Sequence, residues 1–354
     1  MKTEVLTIHP RFPELDKIAR CVKAIRQGGL VVFPTETVYG VGVDFFNQKA
    51  VEKLRIIKKR SPDKPFAVLV SKKDAVEDLG YNIDRNVYKL IDEFWPGPLT
   101  IVVPGKDNIK TIGIRMPNNT VALSLLKEVQ CPLSTPSANF QDNHPPITCA
   151  EALRDLDGLV EIAIEGGPAS LGKESSVVDL TTSVPKVLRE GPITATDIER
   201  ITKQKNVLFV CTGNSCRSVM AEYLLKKMLG VKKDVKVLSA GTGVYIAMGA
   251  SAETIEALRR EGMDASMHRS SPITKTMLKK ADLILVMTHM HRQQILEKVP
   301  SIADRVYLLR EFANTSKSLG SDLDVPDPIG KSSQDYEECL AMIKEAIIKI
   351  VELL

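Results

Sequence analysis

Cys211 and Arg217 stand six positions apart in Val210-Cys211-Thr212-Gly213-Asn214-Ser215-Cys216-Arg217-Ser218. Before them, Asn206-Val207-Leu208-Phe209-Val210 reads as a buried parallel strand, and after them Val219, Met220, Tyr223, Leu224 and Met228 recur at helical spacing. The loop between therefore opens a helix at the carboxyl end of a strand, where backbone N–H groups and the helix dipole attract an anion. Arg217 can add a bidentate fork to two phosphate oxygens. The same field favours a thiolate at Cys211, and a thiolate beside a bound phosphate is a nucleophile aimed at phosphorus. A cysteine after a core strand, taken alone, is more often an inert buried thiol; the strand, the Cys-x5-Arg-Ser spacing and the helix together point away from that.

Downstream lies Asp327-Pro328, an acid held on a stiff turn. With it, residues 205–354 resemble the low-molecular-weight phosphatase family. The resemblance implies that Cys211 attacks, Arg217 clamps the phosphate and Asp327 protonates the leaving group, with Ser218 donating to the thiolate and Asn214 bracing the loop. No metal is implied for this chemistry; the substrate would be a phosphorylated protein. Tyrosine-specific relatives tend to carry a bulky aliphatic residue at the position of Ser215, whereas arginine-phosphatase relatives carry threonine. Serine keeps the hydroxyl, and Ile329-Gly330 replaces the tyrosines that usually line a phenol pocket. The expectation is therefore phosphoarginine over phosphotyrosine, although Ile329 also stands where an arginine phosphatase would have phenylalanine. Cys216 is left with two readings: a redox partner for Cys211, or a small core-facing thiol. An arsenate reductase of the same fold would need a resolving cysteine pair downstream, and residues 217–338 contain no cysteine.

A second set of polar residues lies far upstream. Leu30-Val31-Val32-Phe33 reads as a strand, followed by Pro34-Thr35-Glu36-Thr37-Val38-Tyr39-Gly40-Val41-Gly42, where two hydroxyls, a carboxylate and two glycines crowd a turn suited to a small polar ligand lying against backbone. Then come Lys58-Lys59-Arg60, Trp95-Pro96-Gly97-Pro98-Leu99-Thr100, Arg115, Ser137-Ala138-Asn139, Ser175-Ser176 and Arg189-Glu190-Gly191. Each alone is an ordinary turn, and the basic cluster alone would be a solvated helix face. In this order and spacing they resemble the YrdC-like threonylcarbamoyl-AMP synthase family over residues 8–195. That family converts L-threonine, bicarbonate and ATP to threonylcarbamoyl-AMP and pyrophosphate, for modification of the adenosine beside the tRNA anticodon. By resemblance Thr37, Arg115 and Ser175 contact threonine, while Lys58, Arg60, Ser137, Asn139 and Arg189 face ATP. Cations there would stabilise charge on departing pyrophosphate, and Mg2+ would arrive with the nucleotide, held by phosphate oxygens. The sequence departs from the family at Lys64-Pro65-Phe66, where Asn-Pro-Leu is usual, at Leu69, where a histidine would stand, and after Asn139, at the rim of the nucleotide pocket. A second reading keeps residues 8–195 as a non-catalytic nucleotide- or RNA-binding module beside a protein-tyrosine phosphatase. Partner proteins of tRNA modification belong with the first reading.

The elements that must hold these residues are α/β throughout. A length of 354 residues suggests two domains, joined within Arg189–Lys205, where Thr194–Lys203 can form a short polar helix. The first is expected to be a YrdC-like twisted α/β sheet. The second alternates strands at Val235–Ser239, Leu283–Met287 and Val306–Leu309 with helices at Ser251–Glu261 and from His289, as a doubly wound parallel sheet does. In the last helix Tyr336, Leu340, Ile343, Ile347, Ile350, Val351 and Leu354 form one apolar face. Composition is ordinary, 44% hydrophobic and 26% charged. Net charge is +4, yet residues 1–200 hold 26 Lys and Arg against 26 Asp and Glu, so no bulk electrostatic grip on nucleic acid is indicated there. Neither a membrane span nor a signal peptide is evident. Six cysteines and five histidines lack zinc or disulfide-framework spacing, and the expected setting is cytoplasmic.

Overall fold

The computed structural model describes residues 2–61, 64–106, 109–232, 234–313 and 323–354, and the chain divides into two compact units, Met1–Thr202 and Lys203–Leu354. The first is built on a mixed sheet of ten strands: β1 Glu4–Thr7, β2 Val31–Phe33, β3 Gly40–Asp44, β4 Val68–Leu69, β5 Leu99–Pro104, β6 Thr111–Arg115, β7 Leu133–Ser134, β8 Ile162–Glu165, β9 Ser176–Asp179 and β10 Lys186–Arg189. Their order is β1-β8-β2-β3-β7-β4-β6-β5-β9-β10.

Side-chain alternation explains why β2 is apolar without a break, since a strand covered on both faces must bury every residue. Val31 and Phe33 point into a core with Ile18, Ile25 and Leu125, from helices Leu15–Arg26 and Thr120–Val129. Leu30 and Val32 point the other way, into a core with Leu54 and Leu156 from helices Gln48–Ile57 and Cys149–Leu156. A third core joins Leu99, Ile101 and Ile114 to Val87, Leu90 and Ile91 of helix Arg85–Phe94.

The second unit carries four parallel strands, β11 Lys205–Cys211, β12 Val235–Gly241, β13 Leu283–Val286 and β14 Val306–Leu308, in the order β12-β11-β13-β14. Because β11 is flanked on opposite sides by β12 and β13, its carboxyl end is the point where strand order diverges, the usual place for a ligand crevice in such sheets. Phe209 and Cys211 face one core with Val219 and Ile343, whereas Leu208 and Val210 face the other with Ile284 and Ile295. Leu309 leaves the strand for a 3-10 turn, Leu309–Phe312, in which the Glu311 carboxylate accepts from the Leu308 N–H (3.2 Å).

The last helix, Ser333–Leu353, begins at the Ser332 cap and buries Tyr336, Cys339, Leu340, Ile343, Ala346, Ile347 and Ile350. Val351 and Leu354 are only partly buried, so the packed stripe is centred on Ile343 and Ile347. Ile343 is wholly inaccessible, and Ile343→Ala is expected to cost about 2–5 kcal/mol in denaturant unfolding of the second unit, the range for emptying a tight core site.

Candidate active sites

In the first unit, the side chains of Thr37, Lys58, Arg60, Arg115, Ser137, Asn139, Ser175 and Arg189 line one cleft of about 720 Å³. Backbone geometry brings the basic pair there. Helix Gln48–Ile57 ends at Lys58, and Lys59 takes a left-handed φ of 48°, which turns it out to solvent while Lys58 and Arg60 turn in. Lys58 is buried, and its ammonium donates to the carbonyls of Ser137 (2.9 Å) and Asn139 and to Asn139 Oδ1 (3.3 Å). Burial, with Arg60 adding to it, pushes the Lys58 pKa down to about 8. Arg60 donates to the carbonyls of Lys64 (2.9 Å) and Pro65 (3.0 Å) and lies 5.3 Å from the centre of the Phe66 ring. On the opposite wall Arg189 donates to Ser175 O (2.9 Å) and Ser175 Oγ (3.2 Å) and pairs with Glu174 (2.8 Å). Gly191 permits that wall, because a Cβ there would stand 2.3 Å from Glu174 O.

Arg115 meets the cleft from β6. It donates through Nε to Gly97 O (3.1 Å) and through one terminal nitrogen to Thr37 Oγ1 (2.9 Å), while the other terminal nitrogen lies 2.8 Å from Glu36 Oε1. Both side chains of that ion pair are about 7% exposed. At 2.8 Å, and out of water, this is a close contact of opposite charges. Burial holds the Arg115 pKa below its ordinary value, and Glu36 opposes the shift. Thr35 and Glu36 belong to the same turn as Thr37, but residue type alone did not separate them from it.

In the second unit, the loop after β11 closes around the Cys211 sulfur. Asn214 adopts a φ of 49°, and its N–H donates to Cys211 Sγ (3.2 Å). Its side-chain amide donates to Ser218 Oγ (3.0 Å) and Ser239 Oγ (2.7 Å), and its Oδ1 accepts from Ser271 N–H (2.8 Å). One lone pair of the Ser218 hydroxyl is thus taken by Asn214, and its oxygen lies 3.0 Å from Cys211 Sγ, within reach to donate to a thiolate there. Gly241, at the end of β12, lets that strand pass: a Cβ would stand 2.4 Å from Thr212 O. Arg217 opens helix Arg217–Leu229, donates to Val325 O (3.2 Å) and pairs with Asp327, which ties the acid's loop to the cradle. Ser215 is half-buried, with Oγ 3.6 Å from Cys216 Sγ, and Cys216 faces the core beside Tyr336 (3.7 Å to the hydroxyl).

Two histidines support this loop without any mark in the sequence spacing. His268 Nε2 lies 2.9 Å from Asn214 O. His291 is fully buried, with Nε2 2.9 Å from Thr212 Oγ1 and Nδ1 2.8 Å from Thr288 Oγ1. Burial first, then the charge of Arg217, push its pKa down to about 4 from 6.5. The folded chain therefore refuses a proton that the unfolded chain accepts between those values, so this histidine subtracts stability as pH falls from about 6.5 to about 4. Replacing His291 with Gln should flatten that part of the pH profile of the urea midpoint.

Comparison with known proteins follows the same division. A family model described as telomere recombination, covering Sua5, YciO and YrdC, matches residues 23–191, and one described as low molecular weight phosphotyrosine protein phosphatase matches residues 206–354. The chain is 34% identical over 227 residues to a threonylcarbamoyl-AMP synthase of Pyrococcus abyssi, covering 62% of this chain and 66% of that one. With one of Coxiella burnetii it shares 35% identity over 170 residues, covering 46% of this chain and 91% of the other. It spans 66% and 56% of the longer relatives from Pyrococcus abyssi and Bacillus subtilis. The solved structure of Pyrococcus abyssi Sua5 complexed with L-threonine shares the fold, at a TM-score of 0.55 and 24% identity, covering 86% of this chain and 99% of that one. Among the described residues no helix is long and apolar enough to cross a membrane. Through its first unit the chain belongs to the threonylcarbamoyl-AMP synthase family, and its second unit is a low-molecular-weight phosphatase domain.

Proposed function

We propose that the chain is a bifunctional enzyme whose first unit forms threonylcarbamoyl-AMP from L-threonine, bicarbonate and ATP, releasing pyrophosphate, for tRNA modification together with partner proteins. The observation that carries this reading is the convergence of Lys58, Arg60, Arg115 and Arg189 on one cleft together with the hydroxyls of Thr37, Ser137 and Ser175. Lys58, Arg60, Ser137, Asn139 and Arg189 face the nucleotide in this proposal, and Thr37, Arg115 and Ser175 the amino acid. Cations fixed before the reaction stabilise the charge that develops on pyrophosphate without having to reorganise. Mg2+ would come with the nucleotide and bridge its phosphate oxygens. Among the described residues no group of three or more His, Cys, Asp or Glu is placed to hold a metal ion. A cytoplasmic setting belongs to the same proposal and is supported by six cysteines that are all free thiols.

In the second unit the proposed reaction is hydrolysis of a phosphorylated protein side chain. Cys211 sulfur forms a bond to phosphorus as the bond to the leaving atom breaks, Asp327 gives that atom its proton, and water then releases phosphate from the cysteine. Arg217 and the loop N–H groups hold the phosphoryl oxygens, Ser218 and Asn214 support the sulfur, and Ser215 shapes the wall. We propose phosphoarginine as the preferred substrate: Ser215 is small and polar, and Ile329 leaves the outer edge without an aromatic ring.

Lys58→Ala is expected to lower kcat/KM for ATP by about 10²-fold or more in a pyrophosphate-release assay, with phosphatase activity unchanged. Nucleotide phosphates would hold Lys58 in its charged form, so nucleotide affinity should fall as pH rises through about 8 in the parent but not in Lys58→Arg. Cys211→Ser should abolish phosphate release, and Asp327→Asn should slow it by roughly 10²–10⁴-fold for poor leaving groups. For specificity, kcat/KM on phosphoarginine and phosphotyrosine peptides is compared in the parent and in Ser215→Ile, which should shift preference toward phosphotyrosine. A parent that uses phosphotyrosine as well as phosphoarginine would overturn the arginine assignment.

A further inference from the structure

The residue that follows the nucleophile of the second unit is held from two sides. Thr212 and Gly213 are the exposed members of the cradle loop, whereas Asn214, Cys216 and Arg217 are buried, so hydrogen bonds rather than packing must set the direction of this arm. The Thr212 carbonyl accepts from Gly243 N–H (3.0 Å), and Thr212 Oγ1 lies 2.9 Å from His291 Nε2. His291 is wholly buried, and its Nδ1 lies 2.8 Å from Thr288 Oγ1, which also accepts from His291 N–H (3.3 Å) as the cap of helix His289–Lys298. A neutral imidazole offers one N–H and one lone pair, and a hydroxyl can give or take, so both ring contacts are satisfied in either tautomer. The ring is a stiff bridge from the cap of that helix to the arm of the cradle.

The same short segment also reaches the acid. Met287 N–H donates to Val210 O (3.1 Å), next to Cys211 in the chain, and Met287 O accepts from Val325 N–H (2.7 Å). His289 N–H donates to Asp324 Oδ1 (2.8 Å), with His289 Nδ1 2.9 Å from that oxygen. Val325 in turn offers its carbonyl to Arg217 (3.2 Å), close before Asp327 in the chain. Residues 287–291 therefore stand between the loop of the nucleophile and the loop of the acid, bonded to both. The charges of Arg217, Asp324 and Asp327 all act on His291, and burial with Arg217 keeps the ring neutral near pH 7.

We propose that His291 is a positioning residue for the phosphatase reaction, which through Thr212 fixes the peptide groups next to Cys211 so that their N–H groups meet the phosphoryl oxygens without reorganising. The inference rests on the reading of the second unit as a cysteine-dependent phosphatase. Donors set in advance stabilise a developing charge more than mobile ones do, and the glycine at 213 would let an untethered arm turn. Loss of the bridge should weaken oxyanion binding while leaving the sulfur its own contacts with Asn214 and Ser218.

The test measures KM and kcat for a small aryl phosphate, with inorganic phosphate and vanadate as competing probes, on the full chain as parent, His291→Gln, His291→Asn, Thr212→Val, Thr212→Ser and the His291→Asn/Thr212→Val double variant. A glutamine amide can stand where Nε2 stands and an asparagine amide only where Nδ1 stands, so the first keeps the contact with Thr212 and the second keeps only that with Thr288. His291→Asn and Thr212→Val should each raise KM and both inhibition constants by about tenfold, while His291→Gln and Thr212→Ser stay within about threefold of the parent. The double variant should be no worse than Thr212→Val alone, because both changes break one interaction. Urea midpoints are taken alongside: a merely structural role would lower the folded fraction, and kcat with it, and leave KM and the inhibition constants as they are. Because Thr212 is exposed, its variants break the bridge without opening the core. Unchanged inhibition constants in Thr212→Val, a His291→Gln as impaired as His291→Asn, or additive losses in the double variant would overturn the inference. A parent without Cys211-dependent phosphate release would overturn the reading of the unit itself.

Discussion

Lys58 holds a positive charge almost wholly out of water against three neutral oxygens, and the first unit is arranged around making that tolerable. An ammonium in such a place costs free energy unless every proton finds an acceptor, and here two carbonyls and an amide oxygen from Ser137 and Asn139 supply them. The requirement links the end of helix Gln48–Ile57 to the loop after β7, and it accounts for the left-handed Lys59 between two inward-facing cations. The depressed pKa records the burial and the neighbouring charge of Arg60, and in the proposed function the phosphate oxygens of ATP would supply the opposing charge.

The second unit meets the same problem differently. Arg217 is nearly as buried, but it is given a carboxylate, Asp327, together with Val325 O. That pairing holds the acid beside the cradle and makes the guanidinium part of the loop's own architecture. Around it Asn214 ties together Ser218 and Ser239, and the sulfur of Cys211 meets the Asn214 N–H and the Ser218 hydroxyl. In both units a phosphate-bearing ligand would enter a site whose hydrogen bonds are formed beforehand, which is the condition for electrostatic stabilisation without reorganisation.

Much of this was legible in residue order. A run such as Val31–Phe33 or Val207–Val210 declares a strand buried on both faces, and Cys-x5-Arg between a strand and a helical pattern declares the cradle, because period and spacing are local properties. The supporting partners were not legible, since each depends on a contact between distant segments. Nothing in the spacing around His291 says that it will meet Thr212, 79 positions away. Glu36 was visible as a carboxylate in a crowded turn, yet its pairing with Arg115, 79 positions away, is a contact that only the folded chain makes. Leu309, read with the strand, belongs instead to the short turn after β14, where the Glu311 carboxylate accepts from the Leu308 N–H.

The central claim is that the buried cations of the first unit serve adenylation of a carbamoylated amino acid. It is tested most directly by identifying the nucleotide product by mass spectrometry after incubating the purified full chain with ATP, Mg2+, L-threonine and labelled bicarbonate. The account predicts threonylcarbamoyl-AMP carrying the label, in step with pyrophosphate, and none when threonine or bicarbonate is left out. Release of pyrophosphate without that product, or no turnover of ATP by a folded chain, would contradict it.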